Sequence, residues 1–349
     1  MPDTVKTFLE KCPSCEQCQT VCPFLDKYGT PDRIIRDSPH LAFLCTNCTA
    51  CDGRCPLDLG PSEALFQTKQ RLIREGNVTG KAESALKSAR NFAFRSHKAP
   101  FVHYSHNETV FWPGCSLAGT SPETVRKMTS LLGNILDTDV GLVLDCCFDP
   151  LYQMGDTESA RIACDRIRDR FESAGNRRVI VGCLNCRKVF REFLPDMDIT
   201  YVLEVLPEDV DMELPDGFPY MHYPCPFYRF DGIREAAKTI VERASEERVD
   251  EQGKPACCGL GGGIQEQDTS LAAEFTEKVT MDAYGSFIVT ACMGCKNTFL
   301  KKGRETYHIL ELISGAKPRK RAVPSAIKWA NRLKLAQSAP SSSPKKPVR

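Results

Sequence analysis

Thr109-Val110-Phe111-Trp112-Pro113-Gly114-Cys115 is a short β-forming run that stops at Pro-Gly and delivers a cysteine. The pattern returns 110 residues later as Tyr220-Met221-His222-Tyr223-Pro224-Cys225. Other cysteines keep step with it: Cys146, Cys147, Cys183 and Cys186 recur as Cys257, Cys258, Cys292 and Cys295, at offsets of 111, 111, 109 and 109. In the first unit the spacing predicts helices over 122–135 and 156–171, and strands over 141–144 and 178–181 that run into Cys146 and Cys183. In the second it predicts strands over 220–223 and 287–290, helices over 231–246 and 271–283, and a loop holding Cys257-Cys258. Strands alternating with helices make a small open α/β unit, and in such sheets ligands collect beyond the carboxyl ends of the strands. The cysteines fall there.

Upstream lies a second repeat. Cys12, Cys15, Cys18 and Cys22 recur at Cys45, Cys48, Cys51 and Cys55, each offset by 33, and Pro23 and Pro56 follow the two runs. C-x2-C-x2-C-x3-C-P is the spacing of bacterial 4Fe–4S clusters, in which the fourth cysteine of each run serves the other cluster. One cubane cluster is therefore expected on Cys12, Cys15, Cys18 and Cys55, and a second on Cys45, Cys48, Cys51 and Cys22. Zinc suits this pattern poorly, since it favours two C-x2-C pairs across a longer loop. The pattern is similar to that of two-cluster ferredoxins, and implies one-electron transfer.

Five thiols in each α/β unit exceed what a tetrahedral ion or a plain cubane needs. On Trp112-Pro113-Gly114-Cys115-Ser116, Ala256-Cys257-Cys258-Gly259-Leu260-Gly261-Gly262 and Thr290-Ala291-Cys292-Met293-Gly294-Cys295, the chain resembles the cysteine-rich CCG-domain proteins. Over about residues 10–315 it is most similar to heterodisulfide reductase, in particular to the component of that enzyme that joins a ferredoxin-like part to two CCG domains. Similar modules occur in iron–sulfur subunits that oxidise glycolate, glycerol-3-phosphate and lactate. The resemblance implies a non-cubane 4Fe–4S cluster in one or both CCG domains, held by Cys115, Cys146, Cys147, Cys183 and Cys186 and by Cys225, Cys257, Cys258, Cys292 and Cys295. Catalytic roles would fall to Cys257, Cys258, Cys146 and Cys147. It also implies an oxidoreductase that takes electrons from a donor subunit, a flavoprotein or a membrane cytochrome or quinone-linked protein, and reduces a small-molecule disulfide or related thiol substrate. An electron relay between a membrane-associated dehydrogenase and quinone is the alternative. Zinc at one CCG site, or a vicinal disulfide at either pair, stays open on the residues alone.

One departure stands out. Phe148 follows the first pair where the family has glycine, and phenylalanine does not easily adopt positive φ or allow close backbone approach. The first site is thus expected to be altered in shape or access. At the second site Gly259 and Gly261-Gly262-Gly263 are expected to aim bare N–H groups at anionic sulfur. This glycine run lacks the spacing and the preceding strand of a dinucleotide fingerprint.

The 349 residues divide into a two-cluster ferredoxin-like domain (1–60), a helical connector (61–108), two CCG domains (109–210 and 211–316) and a basic tail (317–349). The fold class expected is multidomain α/β, with a mainly helical N-terminal domain before the two α/β repeats. In 1–60 the chain is too rich in Cys and Pro to build a large core, so ligands should replace one. The net charge of +1 conceals an asymmetry: ten of 46 basic residues and none of 45 acidic ones lie in 317–349, leaving −9 on the rest. An acidic body argues against nucleic acid as a partner. In the tail, Ile327, Trp329, Ala330 and Leu333 among Lys328, Arg332 and Lys334 make a short amphipathic stretch, expected either to contact a membrane surface or partner subunit or to be solvated. Nineteen clustered cysteines and no signal-like apolar start suggest a reducing, cytoplasmic setting, peripheral to the inner membrane face if the tail binds there. Cys164 lies mid-helix and reads as core. His222, Tyr223 and Tyr228 flank Cys225 and are weighed as proton donors or, more commonly, as packing residues.

Overall fold

The computed structural model describes residues 3–253 and 256–339. Its N-terminal part is built from helices Asp3–Lys11, Pro23–Tyr28 and Pro31–Asp37, with tight turns between them that carry the thiols. Proline opens the second and third of these and the following helix Pro61–Arg74, where its missing N–H costs nothing. Val5, Phe8, Phe24, Leu25, Ile34, Ile35 and Leu65 form the core of this part. They pack with Ile264, Leu271 and Phe275, so the segment shares its core with the second α/β unit instead of relying on ligands alone.

The first α/β unit contains β1 (His103–Tyr104), β2 (Thr109–Trp112), β3 (Val140–Leu144), β4 (Arg178–Val181) and β5 (Asp198–Tyr201) in the order β1-β3-β2-β4-β5. β2 to β5 run parallel, and β1 lies antiparallel at the edge, pairing His103 with Leu144. β1 comes from the stretch expected to be a helical connector, whose second helix, Gly80–Ser96, ends earlier. Val110, Phe111, Trp112 and Val179–Val181 are buried on both faces, as parallel strands covered by helices must be. Pairing sets Trp112 opposite Val181, which brings the following Cys115 and Cys183 to one rim.

The second unit has β6 (Pro219–His222), β7 (Asp250–Glu251), β8 (Phe287–Thr290) and β9 (Thr306–His308), ordered β7-β6-β8-β9 and wholly parallel. His222 opposes Thr290, so Cys225 and Cys292 again share a rim.

The tail departs from its expected form. Ser325–Ser338 is a fourteen-residue helix folded back on the first unit, with Leu335 and Arg332 buried. Trp329 meets Phe101 edge-on at 4.6 Å and Phe92 at 5.6 Å, and Arg332 donates to Ser96 Oγ at 2.8 Å. Residues weighed for membrane or partner docking are thus in contact with the chain's own body. The rest of the tail, from 340, lies outside the described residues. Among those described, no helix is long and apolar enough to cross a membrane.

Candidate iron–sulfur and redox site

The two N-terminal cysteine runs have the same backbone form. Ser14 and Glu16 in the first, and Asn47 and Thr49 in the second, take positive φ of 52°, 63°, 54° and 64°. Non-glycine residues rarely adopt this conformation, and alternating it with the right-handed one turns successive N–H groups inward. Asn47 N–H accordingly points to Cys45 Sγ at 3.4 Å, and Leu59 N–H to Cys55 Sγ at 3.4 Å. Cys12, Cys15, Cys18 and Cys55 line one small cavity, and Cys15 is exposed at its edge. Cys22 lies elsewhere, within the electrostatic reach of Cys45 and Cys48, and Cys51 senses those two and Cys22. Burial pushes Cys18 up to about 11 and holds Cys22 and Cys51 well above the usual thiol range.

In the α/β units, helix starts place the thiols. Cys183 and Cys292 cap helices Leu184–Phe193 and Met293–Lys301, and Cys186 and Cys295 sit in their first turns, at the positive ends of the helix dipoles. Cys115 begins the short helix Cys115–Thr120. At the first site a hydrogen bond with Cys146 draws Cys115 down to about 7. At the second, Cys295 Sγ lies 3.1 Å from Cys258 Sγ, and hydrogen bonds from Cys257 and Cys295 draw Cys258 down to about 6. Burial pushes Cys225 up to about 12. Cys164 is fully buried on helix Thr157–Ala174, within electrostatic reach of Cys147, and burial raises it.

Phe148 behaves differently from the expectation. It takes φ 62°, close to the 73° of Gly259, and its N–H points to Cys146 Sγ at 3.4 Å, just as Gly259 N–H points to Cys257 Sγ at 3.3 Å. The turn after each cysteine pair is therefore the same. The Phe148 ring is fully buried against Phe94 (5.4 Å) and His97 (5.0 Å), so packing holds the strained conformation.

The glycine run also works differently. Gly262 N–H donates to Gln153 Oε1 at 2.9 Å, not to sulfur. A Cβ there would stand 2.6 Å from the Cys45 carbonyl oxygen, so glycine is what allows the second α/β unit to close on the N-terminal part. The outcome is direct contact between sites: Cys257 Sγ lies 3.3 Å from Thr46 Oγ1, and the Cys48 and Cys257 thiols are near enough to act on each other's ionisation.

Nine of the ten motif cysteines of the α/β units, all but Cys146, line a single cavity of about 450 Å³. The first set contributes Cys115, Cys147, Cys183 and Cys186 to its wall, and the second contributes all five of its cysteines. His222, Tyr223 and Tyr228 do not line it. His222 Nδ1 lies 2.6 Å from Gln252 Oε1, Tyr223 donates to Glu251, and Tyr228 accepts from Gln252, so these residues pack and brace β6. Three polar groups that motif spacing does not reveal stand close by. Buried Asp145 accepts from Cys146 N–H, Tyr104 and Arg170 and lies 2.8 Å from His97 Nδ1. Asp149 pairs with Lys188 at 2.6 Å, and Lys296 with Glu311 in full burial behind Cys295.

Among the described residues, no three His, Cys, Asp or Glu side chains form a site for a single metal ion. What the chain offers is sets of four and five thiols, mostly buried and costly to ionise there, with backbone N–H groups directed at sulfur. That donor set suits an iron–sulfur cluster, whose cationic irons compensate buried thiolates.

Comparison with known proteins agrees on the α/β units. The chain is 26% identical over 175 residues to lactate utilization protein A of Bacillus cereus (strain B4264), covering 43% of this chain and 72% of that protein. The proteins of the same name from Bacillus cytotoxicus and Bacillus thuringiensis (strain Al Hakam) match to the same extent. In fold it is similar to the crystal structure of a hypothetical protein from Helicobacter pylori, with TM-score 0.51 and 10% identity over 92% of this chain and 74% of that one. Residues 109–191 and 220–300 each match the model of the CCG cysteine-rich domain, a family shared with heterodisulfide reductase subunits, and the chain therefore carries two copies of that domain.

Proposed function

We propose that the protein is an iron–sulfur oxidoreductase subunit that receives electrons at its N-terminal thiols and uses them to reduce a disulfide or related substrate between its two CCG domains. Clusters held by the cysteine sets would supply one-electron transfer. The observation that carries the reading is the shared cavity, lined by thiols of both CCG domains and reached from the N-terminal part through the contact of Cys48 with Cys257. Cys12, Cys15, Cys18 and Cys55 would hold the cluster nearest the surface, since Cys15 is exposed. Cys22, Cys45, Cys48 and Cys51 would hold the next, beside the second CCG domain. A substrate sulfur placed between Cys258 and the first-domain thiols would face both sets at once. The electron donor is a separate redox protein in this reading.

The similarity to lactate utilization protein A favours a second reading, in which the sites only pass electrons between a dehydrogenase and another acceptor. Two measurements on protein purified without oxygen distinguish them. Iron, sulfide and EPR analysis should give three or four 4Fe–4S clusters per chain, and stoichiometric zinc without sulfide would end both readings. In the reductase reading, thiol addition produces a new paramagnetic signal, and Cys258→Ala abolishes disulfide turnover while the N-terminal signals persist. Turnover that survives this change would remove the second CCG domain as the place where bonds break.

A further inference from the structure

We propose that the two N-terminal thiol sites are held at different electrostatic potentials, so that the inner site, beside the buried ammonium of Lys69, accepts an electron more readily than the outer site, beside the carboxylate of Asp32. This rests on the reading that both sites hold redox-active clusters.

Lys69 lies on helix Pro61–Arg74 and is fully buried. Its Nζ donates to the Cys45 carbonyl oxygen at 2.6 Å, to the Gln153 carbonyl oxygen at 3.1 Å and to Asn47 Oδ1 at 3.3 Å. All three acceptors are uncharged. A buried ammonium satisfied only by neutral oxygens keeps most of its desolvation cost, and an anionic neighbour is what offsets it. The neighbouring anionic set is the one containing Cys45, whose thiol burial pushes up and Lys69 pulls back.

The outer site has the opposite sign next to it. Asp32, buried on helix Pro31–Asp37, accepts from Ser14 Oγ at 2.6 Å and lies 3.6 Å from Cys12 Sγ. Glu16 and Arg54 also line this site, but both are exposed, opposite in charge and screened by solvent. Asp52 must be counted as well. It accepts from the N–H and Oγ of Ser62, and its Oδ1 lies 3.8 Å from Cys51 Sγ, so the inner site has a carboxylate of its own. With one carboxylate beside each site, Asp32 3.6 Å from Cys12 and Asp52 3.8 Å from Cys51, the difference between them falls to Lys69, which acts through a low-dielectric interior where a charge counts for more than in water.

Adding an electron makes either site more negative. A carboxylate opposes that at each site, Asp32 at the outer and Asp52 at the inner, and Lys69 favours it at the inner one alone. An electron supplied by an external one-electron reductant leaves the outer site oxidised again as the inner site is reduced, and so moves toward Cys257.

EPR-monitored reductive titration with dithionite, on the full chain reconstituted without oxygen, tests this. Wild type should show two N-terminal signals with separate midpoints. Lys69→Met should lower the higher midpoint by about a tenfold change in the reduction equilibrium, about 59 mV for one electron, and leave the lower one in place. Lys69→Arg should restore it, and Asp32→Asn should raise the lower midpoint. A single shared midpoint, a Lys69→Met shift below twofold, or movement of the lower signal instead would overturn the inference. If Lys69→Met fails to fold, Asp32→Asn decides alone, and an unmoved lower midpoint then counts against the proposal. Iron and sulfide content is measured for each protein: full clusters with unmoved midpoints defeat only this inference, whereas wild type without clusters defeats the cluster reading with it.

Discussion

Phe148 and Gly259 share a backbone conformation but differ in what surrounds the α-carbon. A Cβ on Gly259 would stand 2.3 Å from the Ala272 carbonyl oxygen, so Gly259→Ala must shift the helix Thr269–Asp282 that packs there. At Phe148 helix Gly80–Ser96 leaves room, and the ring fills it beside Phe94. Removing a fully buried ring costs about 3–5 kcal/mol, whereas the left-handed backbone costs a non-glycine residue about 1–2 kcal/mol. Phe148→Ala should therefore be strongly destabilising, and Phe148→Gly less so by about 1 kcal/mol, because it alone relieves the backbone. Thermal unfolding of the two variants measures the difference, and equal midpoints would mean that the turn is not strained. The cysteine spacing made the ligand sets legible residue by residue. The fate of Phe148 was not, because it depends on a pocket formed by a helix more than fifty residues away.

β6 and the C-terminal helix show the same division among elements. β2, β3, β4, β6 and β8 could be read from sequence because parallel strands buried on both faces give unbroken apolar runs. β7 could not, since Asp250-Glu251 is a polar edge pair, and the helices starting at Cys183 and Cys292 were obscured by their reading as ligand motifs. On β6, burial lowers His222 to about 4, against an unfolded value near 6.5. The unfolded chain thus binds the extra proton first as pH falls. The stability that this neutral imidazole contributes is complete above about 6.5 and is lost progressively down to about 4. His222→Gln should flatten the acid side of the stability curve between those pH values, and an unchanged curve would refute the assignment. In the C-terminal helix, Arg332 loses a charged hydrogen bond to Ser96 and its place 4.6 Å from the Trp329 ring when truncated. Arg332→Ala should cost about 2–4 kcal/mol and lower the melting midpoint, where a solvated tail would show no change.

At the scale of the whole molecule, three parts meet at one residue. Gln153, from the first CCG domain, donates to Asp149 and accepts from Gly262 N–H of the second. Its carbonyl oxygen accepts from Lys69 and from Asn47 of the N-terminal part. Neither repeat predicts this junction, because Gln153 lies outside every cysteine motif and joins residues 84 and 106 positions before it and 109 after it. In the proposed reading, its position beside Cys48 and Cys257 has a functional consequence: whatever loosens it also loosens the path between the N-terminal sites and the cavity. Gln153→Leu preserves volume but leaves Gly262 N–H buried without its acceptor, at a cost of about 1–3 kcal/mol. Hydrogen exchange should then rise together at residues 45–47 and 261–263, although only the latter lost a side-chain partner, because the two segments are packed backbone to backbone at Gly262 and Cys45. Faster exchange confined to 261–263 would mean that the N-terminal part is held by its shared core with Ile264, Leu271 and Phe275 alone. Joint acceleration, with slower electron arrival at the cavity at unchanged cluster content, is the outcome expected if the junction sets the distance between the sites.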